Sequence, residues 1–398
     1  MTMDRFGDKV CCNPSVKLKK KESYPVIDID RITPGYKHVR SVESIDYTGQ
    51  GGAKFQDHDV LFARITPCLE NGKMAIADTD GQYGIGSTEL FVFRGIDGVS
   101  DTDYVYYLLC MKHIRQLAAN SMTGASGRQR ADLDFIKRIQ WDFPDIEIQK
   151  KIASVLSAYD NLIEVNNKRI KVLEQMAENL YKEWFVRFHF PGYETAEFEN
   201  GIPKGWAIRR VAEVGEVVGG GTPSTEHSEY WDGNIPWLTP ADLTSFDDVY
   251  ISSGGSFITV EGLKNSSAQL LPKNAVLLSS RAPIGYVAIA QNPLCTNQGF
   301  KSVVCDTDVL NPVYLFYYFK NNKALLECFA SGSTFLELSG GRLKKIKLIV
   351  PPVSMQNSFE EIVVPWLKLT VSLSDKNKNL IKQRDLLLPR LMNGKLEV

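Results

Sequence analysis

One feature constrains this chain more than any other: its segments recur in the same order at a separation of about 210 residues, too long for a solenoid repeat and right for a repeated domain. Near the start, Phe6-Gly7-Asp8-Lys9-Val10 followed by Pro14-Ser15 answers Val214-Gly215-Glu216-Val217-Val218 followed by Pro223-Ser224. Pro25–Ile29 answers Pro236–Pro240, and Asp59–Arg64 answers Asn274–Arg281, each arginine preceding a proline, Pro67 or Pro283. Tyr104–Leu108 then matches Tyr314–Tyr318, and Ile136–Ile139 matches Leu343–Ile346, just before Pro144 or Pro351. The 398 residues therefore read as two halves of one plan, within the two to three units that such a length allows.

An apolar fraction of 43%, with 10% aromatic and 23% charged residues, belongs to ordinary globular domains. Within each half, β-branched and aromatic runs such as Leu90–Phe93, Val276–Leu278 and Val287–Ala290 are punctuated by Gly, Pro and Asn and predict strands. Asp103–Ala119 and Pro312–Cys328 predict helices, so each half reads as an α/β (α+β) domain. No apolar run approaches the roughly 20 residues of a membrane-spanning helix, and Met1–Val10 carries charges where a signal peptide is apolar, so a cytoplasmic location is expected. The seven cysteines form no C-x-x-C and read as reduced, mostly buried thiols.

Each half closes on a long helical pattern. In the first, Ile152, Val155, Tyr159, Leu162, Leu173, Leu180 and Trp184 keep a three-and-four spacing with Asn166 on the same seam. In the second, Trp366, Leu369, Leu373, Leu380, Leu387 and Leu391 repeat it around Asn377 and Asn379, with Pro365 marking a helix start or a kink. Two similar apolar stripes in one chain supply each other most simply as an antiparallel coiled-coil pair with pseudo-two-fold symmetry; the alternative is that each packs on its own domain. A helix of about 40 residues spans roughly 60 Å, enough to hold two domains apart.

The net charge of −1 argues against a uniformly basic DNA binder, although charge can be segregated. Basic clusters occur at Lys17, Lys19, Lys20 and Lys21, at Arg128, Arg130, Lys137 and Arg138, and at Arg342, Lys344, Lys345 and Lys347. No N-P-P-[YF] or D-P-P-Y run and no G-x-x-x-x-G-K-[ST] loop is present, and the five histidines form no ligand or triad pattern. Gly219-Gly220-Gly221 precedes Thr222-Pro223-Ser224 without a clear helix, which favours a turn over a phosphate cradle.

Gly219–Ser224, then Tyr230-Trp231, Gly233 and Ile235-Pro236-Trp237-Leu238, together resemble the opening of a recognition domain of the specificity (S) subunits of type I restriction-modification systems. Arg281-Ala282-Pro283-Ile284-Gly285, Thr296-Asn297-Gln298-Gly299-Phe300-Lys301, and Asp145–Ile152 with the helix behind it are similar to further motifs of that family. The first half departs from the pattern, since Asn13-Pro14-Ser15 lacks the glycine run. The resemblance implies two target recognition domains, here 1–145 and 191–350, separated by an antiparallel pair of conserved helices, 146–190 and 351–398. It also implies double-stranded DNA as ligand, two modification (methyltransferase) subunits as partners, restriction (motor and nuclease) subunits where the system has them, and a bipartite, asymmetric target. No catalytic residue, metal or cofactor is expected in this chain; S-adenosylmethionine belongs to the partner. A remnant of a fused restriction enzyme and a structural two-domain coiled-coil scaffold stand as alternatives.

Base edges are read by bidentate donors and acceptors on loops, Arg favouring guanine and Asn or Gln favouring adenine. The loop 123–130, with Ser126, Arg128, Gln129 and Arg130, and its counterpart 331–335, with Ser333 and Thr334, rank first. Arg64 and Arg281 suit a phosphate contact or a structural ion pair. Asn297 and Gln298 are weaker candidates because Ser87-Thr88 in the other half lacks amides. Lys19, Lys20, Arg342 and Lys344 complete the basic set, and Lys150, Lys168, Arg169, Lys376, Lys378 and Arg384 are expected on exposed helix faces.

Overall fold

The computed structural model describes residues 3–125, 127–244, 246, 248–281, 283–332 and 336–398. The chain divides into two compact units, Met1–Asn167 with Asp375–Val398, and Lys168–Ser374.

In the first unit a five-stranded sheet runs Val10–Cys12, Leu90–Gly95, Val60–Ala63, Met74–Asp78, His38–Arg40, antiparallel except for its last pair. The two-residue side-chain period sends Val60, Phe62, Phe91, Phe93 and Ile76 to one face and Leu61, Val92 and Ala75 to the other. The first face packs on helix Thr102–Cys110; the second meets Ile27 and Phe55 of a four-stranded sheet, Ser44–Asp46, Ser23–Ile27, Tyr83–Gly86, Ala53–Gln56. Strands buried on both faces explain why these runs are apolar throughout.

The second unit repeats the plan. Its five strands run Gly215–Gly219, Lys301–Cys305, Val276–Leu278, Val287–Ala290, Tyr250–Ile251, again with a parallel last pair. A smaller sheet orders Ser256–Ile258, Trp231–Leu238 and Cys295–Thr296 as its counterpart orders Ser44–Asp46, Ser23–Ile27 and Tyr83–Gly86, with the same antiparallel and parallel neighbours. The expected helix Asp103–Ala119 is broken at Met111 into Thr102–Cys110 and Lys112–Asn120, and Pro312–Cys328 is broken at Asn322, because both residues leave the helical region. All seven cysteines are unpaired, but only Cys295 is buried; Cys328 is exposed and the others are half-buried, so the expectation of mostly buried thiols is corrected.

Two long helices, Ile146–Tyr181 and Val353–Met392, follow the sheets. Each is fixed at its start by a fully buried glutamine. The Gln149 amide accepts from the backbone N–H of Asp101 and donates to the carbonyls of Val99 and Pro144. Gln356 does the same with Asn311, Val309 and Pro351. An offset of 207 residues between these two glutamines carries through the helices and aligns Ile152 with Phe359 and Leu156 with Val363, all buried.

Within each unit the helices pair antiparallel, so the two alternatives for them are both realised. In the first unit Ile152 and Leu156 share a core with Leu391 and Met392. In the second, Ala177, Tyr181, Trp184 and Phe185 share a core with Phe359, Val363 and Leu367, and Tyr181 stacks on Tyr317 at 5.8 Å. Each globular domain thus buries the start of one helix and the end of the other.

The buried seam follows Ile152, Leu156, Ile163, Asn166, Ala177 and Tyr181 on the first helix, with Trp184 just beyond its end, and Gln356, Phe359, Val363, Leu367, Thr370, Leu373, Asn377 and Leu391 on the second. Tyr159, Leu173 and Leu180 border it, as do Trp366, Leu380 and Leu387. Val155, Leu162 and Leu369 lie outside it, exposed, because an equally regular seven-residue spacing runs along the outer face. The second helix passes through Pro365 and starts at Val353, where Pro351 and Pro352 precede it.

Polar groups interrupt the first unit's seam. Asn166 donates to Asn377 Oδ1 at 2.8 Å, and Asn377 donates to Asn167 Oδ1 at 2.8 Å. Arg384, expected on an exposed face, is largely buried and donates to Asp160 Oδ1 at 2.5 Å, and Asp160 also accepts from the Tyr107 hydroxyl. Beside them buried Lys37 donates to Ser157 Oγ at 2.7 Å and ion-pairs with Asp103, which also meets His58 at 3.5 Å. Burial alone would raise the Asp103 carboxyl, but the hydrogen bond from His58 and the Lys37 charge outweigh it, taking it from 3.8 to about 2.

Asn377→Leu strands the Asn166 amide and should cost about 1–3 kcal/mol in urea unfolding, whereas the double Asn166→Leu/Asn377→Leu recovers most of that loss. The Asp103 pair adds a pH signature. Its folded value lies below its unfolded one, so its stabilisation is whole above 3.8 and vanishes as pH falls through about 2. Asp103→Asn should flatten unfolding free energies across that window.

Candidate nucleic-acid interface

The loops 123–130 and 331–337 occupy equivalent places. Thr123 and Arg130 exchange two backbone hydrogen bonds of 3.0 Å, as do Ser331 and Glu337. The next residue then donates to the end of a central strand, Ala131 to Arg64 O at 2.8 Å and Leu338 to Ser280 O at 2.9 Å. Each loop is therefore pinned at its base to the sheet, and among its described residues Gly124, Ala125, Gly127 and Arg128 in the first and Gly332 and Leu336 in the second are exposed.

This register makes Arg130 equivalent to Glu337 and Arg64 equivalent to Ser280, with Arg281 one residue further on. At the base of the first loop Glu89 accepts from Arg130 Nε at 2.9 Å and Nη2 at 2.6 Å, and Arg64 Nε lies 3.7 Å away. The hydrogen bond from Arg130 holds the Glu89 carboxyl below its usual range and raises the Arg130 guanidinium. Arg64 also lies over the Phe91 ring at 5.2 Å. At the base of the second loop Glu337 meets Lys301 at 3.5 Å and Arg281 at 3.8 Å.

Among the described residues Arg128 has no ion-pair partner, and it is exposed. Half-buried Gln129 accepts from Thr66 N at 3.0 Å through its backbone carbonyl. Ser126, Ser333 and Thr334 lie outside the described residues. Lys19 is exposed and 3.5 Å from Glu22, and Lys20 is exposed. Arg342 donates to the carbonyls of Phe329 and Ala330 at 3.0 and 3.1 Å, closing the end of helix Lys323–Cys328, so its guanidinium is partly engaged in the fold. Lys344 borders an open groove with Glu213 and Glu216.

The glycine and tryptophan motif is a packing device. A Cβ on Gly220 would sit 2.0 Å from Asn297 O, and one on Gly221 would sit 2.3 Å from the Ser267 backbone, so the chain segments here approach too closely for a side chain. Trp237 Nε1 donates to Gly221 O at 2.9 Å and meets Trp231 edge-on. Asn297 Oδ1 accepts from Gly299 N at 2.8 Å, as Ser87 Oγ accepts from Glu89 N at 3.1 Å, so both residues build the same turn. Gln298 is exposed and accepts from the Thr222 hydroxyl. Glu89, Glu337 and Lys301 were missed in the sequence because each lies far along the chain from the arginine or loop it serves.

Among the described residues no three potential metal ligands gather, and no helix is long and apolar enough to cross a membrane. Residues 10–175 and 203–383 match the model of the type I restriction modification DNA specificity domain. The chain is 42% identical over 183 residues to the type I restriction enzyme MjaIX specificity subunit of Methanocaldococcus jannaschii, covering 46% of this chain and 42% of that protein. It is 25% identical to the HindI specificity subunit of Haemophilus influenzae, covering 92% and 93%. The crystal structure of a type I restriction-modification S subunit from M. genitalium, 15% identical, has a similar fold, with a TM-score of 0.62 over 98% of this chain and 95% of that one.

Asn297→Ser, the residue type of the equivalent turn, should leave both stability and DNA preference unchanged. Asn297→Ala, which loses the turn hydrogen bond, should cost about 1 kcal/mol by thermal unfolding. A changed DNA preference in the serine variant would return Asn297 to the base-reading set.

Proposed function

The chain belongs to the type I restriction-modification DNA specificity family, and from that premise we propose that it is the non-catalytic subunit that selects the DNA site for a separate adenine methyltransferase. The observation that carries this reading is the pair of loops, equivalent in position and different in sequence, each offered from the base of a repeated domain. Two different readers imply a bipartite target whose halves differ. Arg128 and the loop glycines bring a base-reading donor and close backbone approach to DNA, and Arg64 and Arg281 at the strand ends suit backbone phosphates.

The outer helix faces support docking of two modification subunits. Val155 and Leu162 on the first helix and Ile362 and Leu369 on the second are exposed apolar residues related by the same 207-residue offset as the buried glutamines. A doubled apolar pair suits two copies of one partner. In this reading the chain holds no cofactor, S-adenosylmethionine sits in the modification subunits, restriction subunits join where the system has them, and the complex works in the cytoplasm.

Single-base methylation mapping of the source genome, with and without this gene, tests the proposal: deletion should erase one asymmetric, two-part adenine motif. An unchanged methylome would instead favour a scaffold or a remnant of a fused enzyme. Purified complex should also bind DNA with a log K that falls steeply against log salt, by about 0.9 per phosphate contacted.

A further inference from the structure

The two loop bases carry the same charges in opposite places. Arg64, Glu89 and Arg130 gather under the first loop, and Arg281, Lys301 and Glu337 under the second. Each set has two cations and one carboxylate, a surplus of one positive charge (2 − 1 = +1). In the first domain the loop supplies a cation, Arg130, and the sheet supplies the carboxylate. In the second the loop supplies the carboxylate, Glu337, and the sheet supplies the cations. The position of Glu89 is held in the second domain by Gly299, and that of Lys301 in the first by Phe91, so neither domain can accept the other's loop end without leaving charges unpaired.

A carboxylate close to DNA opposes binding unless something neutralises it. Here the neutralising partner is also what fixes the loop base: Arg130 makes a two-pronged contact with Glu89, and Lys301 bridges Glu337 to the carbonyls of Gln298 and Phe300 at 3.0 and 3.2 Å. The remaining arginine in each set is held loosely, at 3.7 and 3.8 Å, with side chains 34% and 38% exposed. It is the surplus cation.

We propose that Arg130 and Glu337 are positioning residues of opposite charge that clamp the two recognition loops, making each loop and its strand ends one inseparable reading unit, and that Arg64 and Arg281 are left to meet the DNA backbone. The inference rests on the DNA-reading function proposed above. It differs from a simple electrostatic role, in which any added positive charge near the loop strengthens binding.

The test uses the full chain in complex with its modification subunits and, as probe, a duplex carrying the motif that the wild-type complex methylates, beside duplexes scrambled in one half. Glu337→Arg raises the local charge by two units, one anion lost and one cation gained, yet removes the clamp. It should weaken binding to the intact duplex about tenfold and abolish discrimination against one scrambled half only. Tighter binding with discrimination intact would overturn the clamp. Arg130→Glu should produce the same loss at the other half, and Glu89→Arg/Arg130→Glu, which restores the pair in the second domain's polarity, should recover affinity to within about threefold. A double variant as weak as Arg130→Glu would mean that Arg130 itself touches DNA, which also overturns the proposal. Should Arg130→Glu prevent folding, Arg130→Lys keeps the charge without the two-pronged geometry and should still loosen that half's discrimination; unchanged discrimination would count against the clamp. A wild-type complex with no sequence preference would instead sink the DNA-reading function itself.

Discussion

A side-chain amide buried without solvent contact is tolerated only when all its hydrogen-bonding groups are met, and Gln149 and Gln356 each meet theirs with a carbonyl just before their own long helix and with an N–H and a carbonyl of the segment that leads into helix Thr102–Cys110 or Pro312–Asn321. Losing such an amide would orphan three backbone groups at once. These two residues set where each helix leaves its domain, and the antiparallel pairing inside each unit inherits its register from them. The same register puts Asn166 opposite Asn377 and Asp160 opposite Arg384. At the matching places of the second unit, Ala177 and Leu367 lie together in an apolar core. The halves share a backbone plan and differ in the chemistry that closes it.

That difference explains what could be read from the sequence. The duplication, the sheets of each half and the two long helices were legible because they rest on local periodicity and on turn residues, which a chain displays in order. The inner and outer faces of the helices were not separated, because Val155 and Leu162 keep the same seven-residue spacing as the buried Leu156 and Ile163. Both stripes are apolar, and only the partner helix decides which is covered. Arg384 failed for a related reason: its counter-ion Asp160 is 224 residues away, and nothing in the surrounding helix announces it.

At the interface, legibility ran in the opposite direction. The loops and the two strand-end arginines were visible from composition and from the repeat, yet the carboxylates among them were not. A net charge of −1 looked unfavourable for a DNA reader, but acidic residues such as Glu89 are consumed in contacts with cations and leave local surpluses behind. The glycine and tryptophan motif, by far the most recognisable stretch of sequence, turned out to be tight packing between neighbouring chain segments. A family's most visible residues can hold the scaffold and not a contact surface.

The first unit is assembled from both ends of the chain, residues 1–167 and 375–398, whereas the second is one continuous stretch. During synthesis the second unit can therefore close as soon as its own residues have emerged, while the first unit's core lacks Leu391 and Met392 until the last residues arrive. For that interval Ile152 and Leu156 pack against their own domain without the second helix beside them. The discontinuity sets an order of completion, second unit before first.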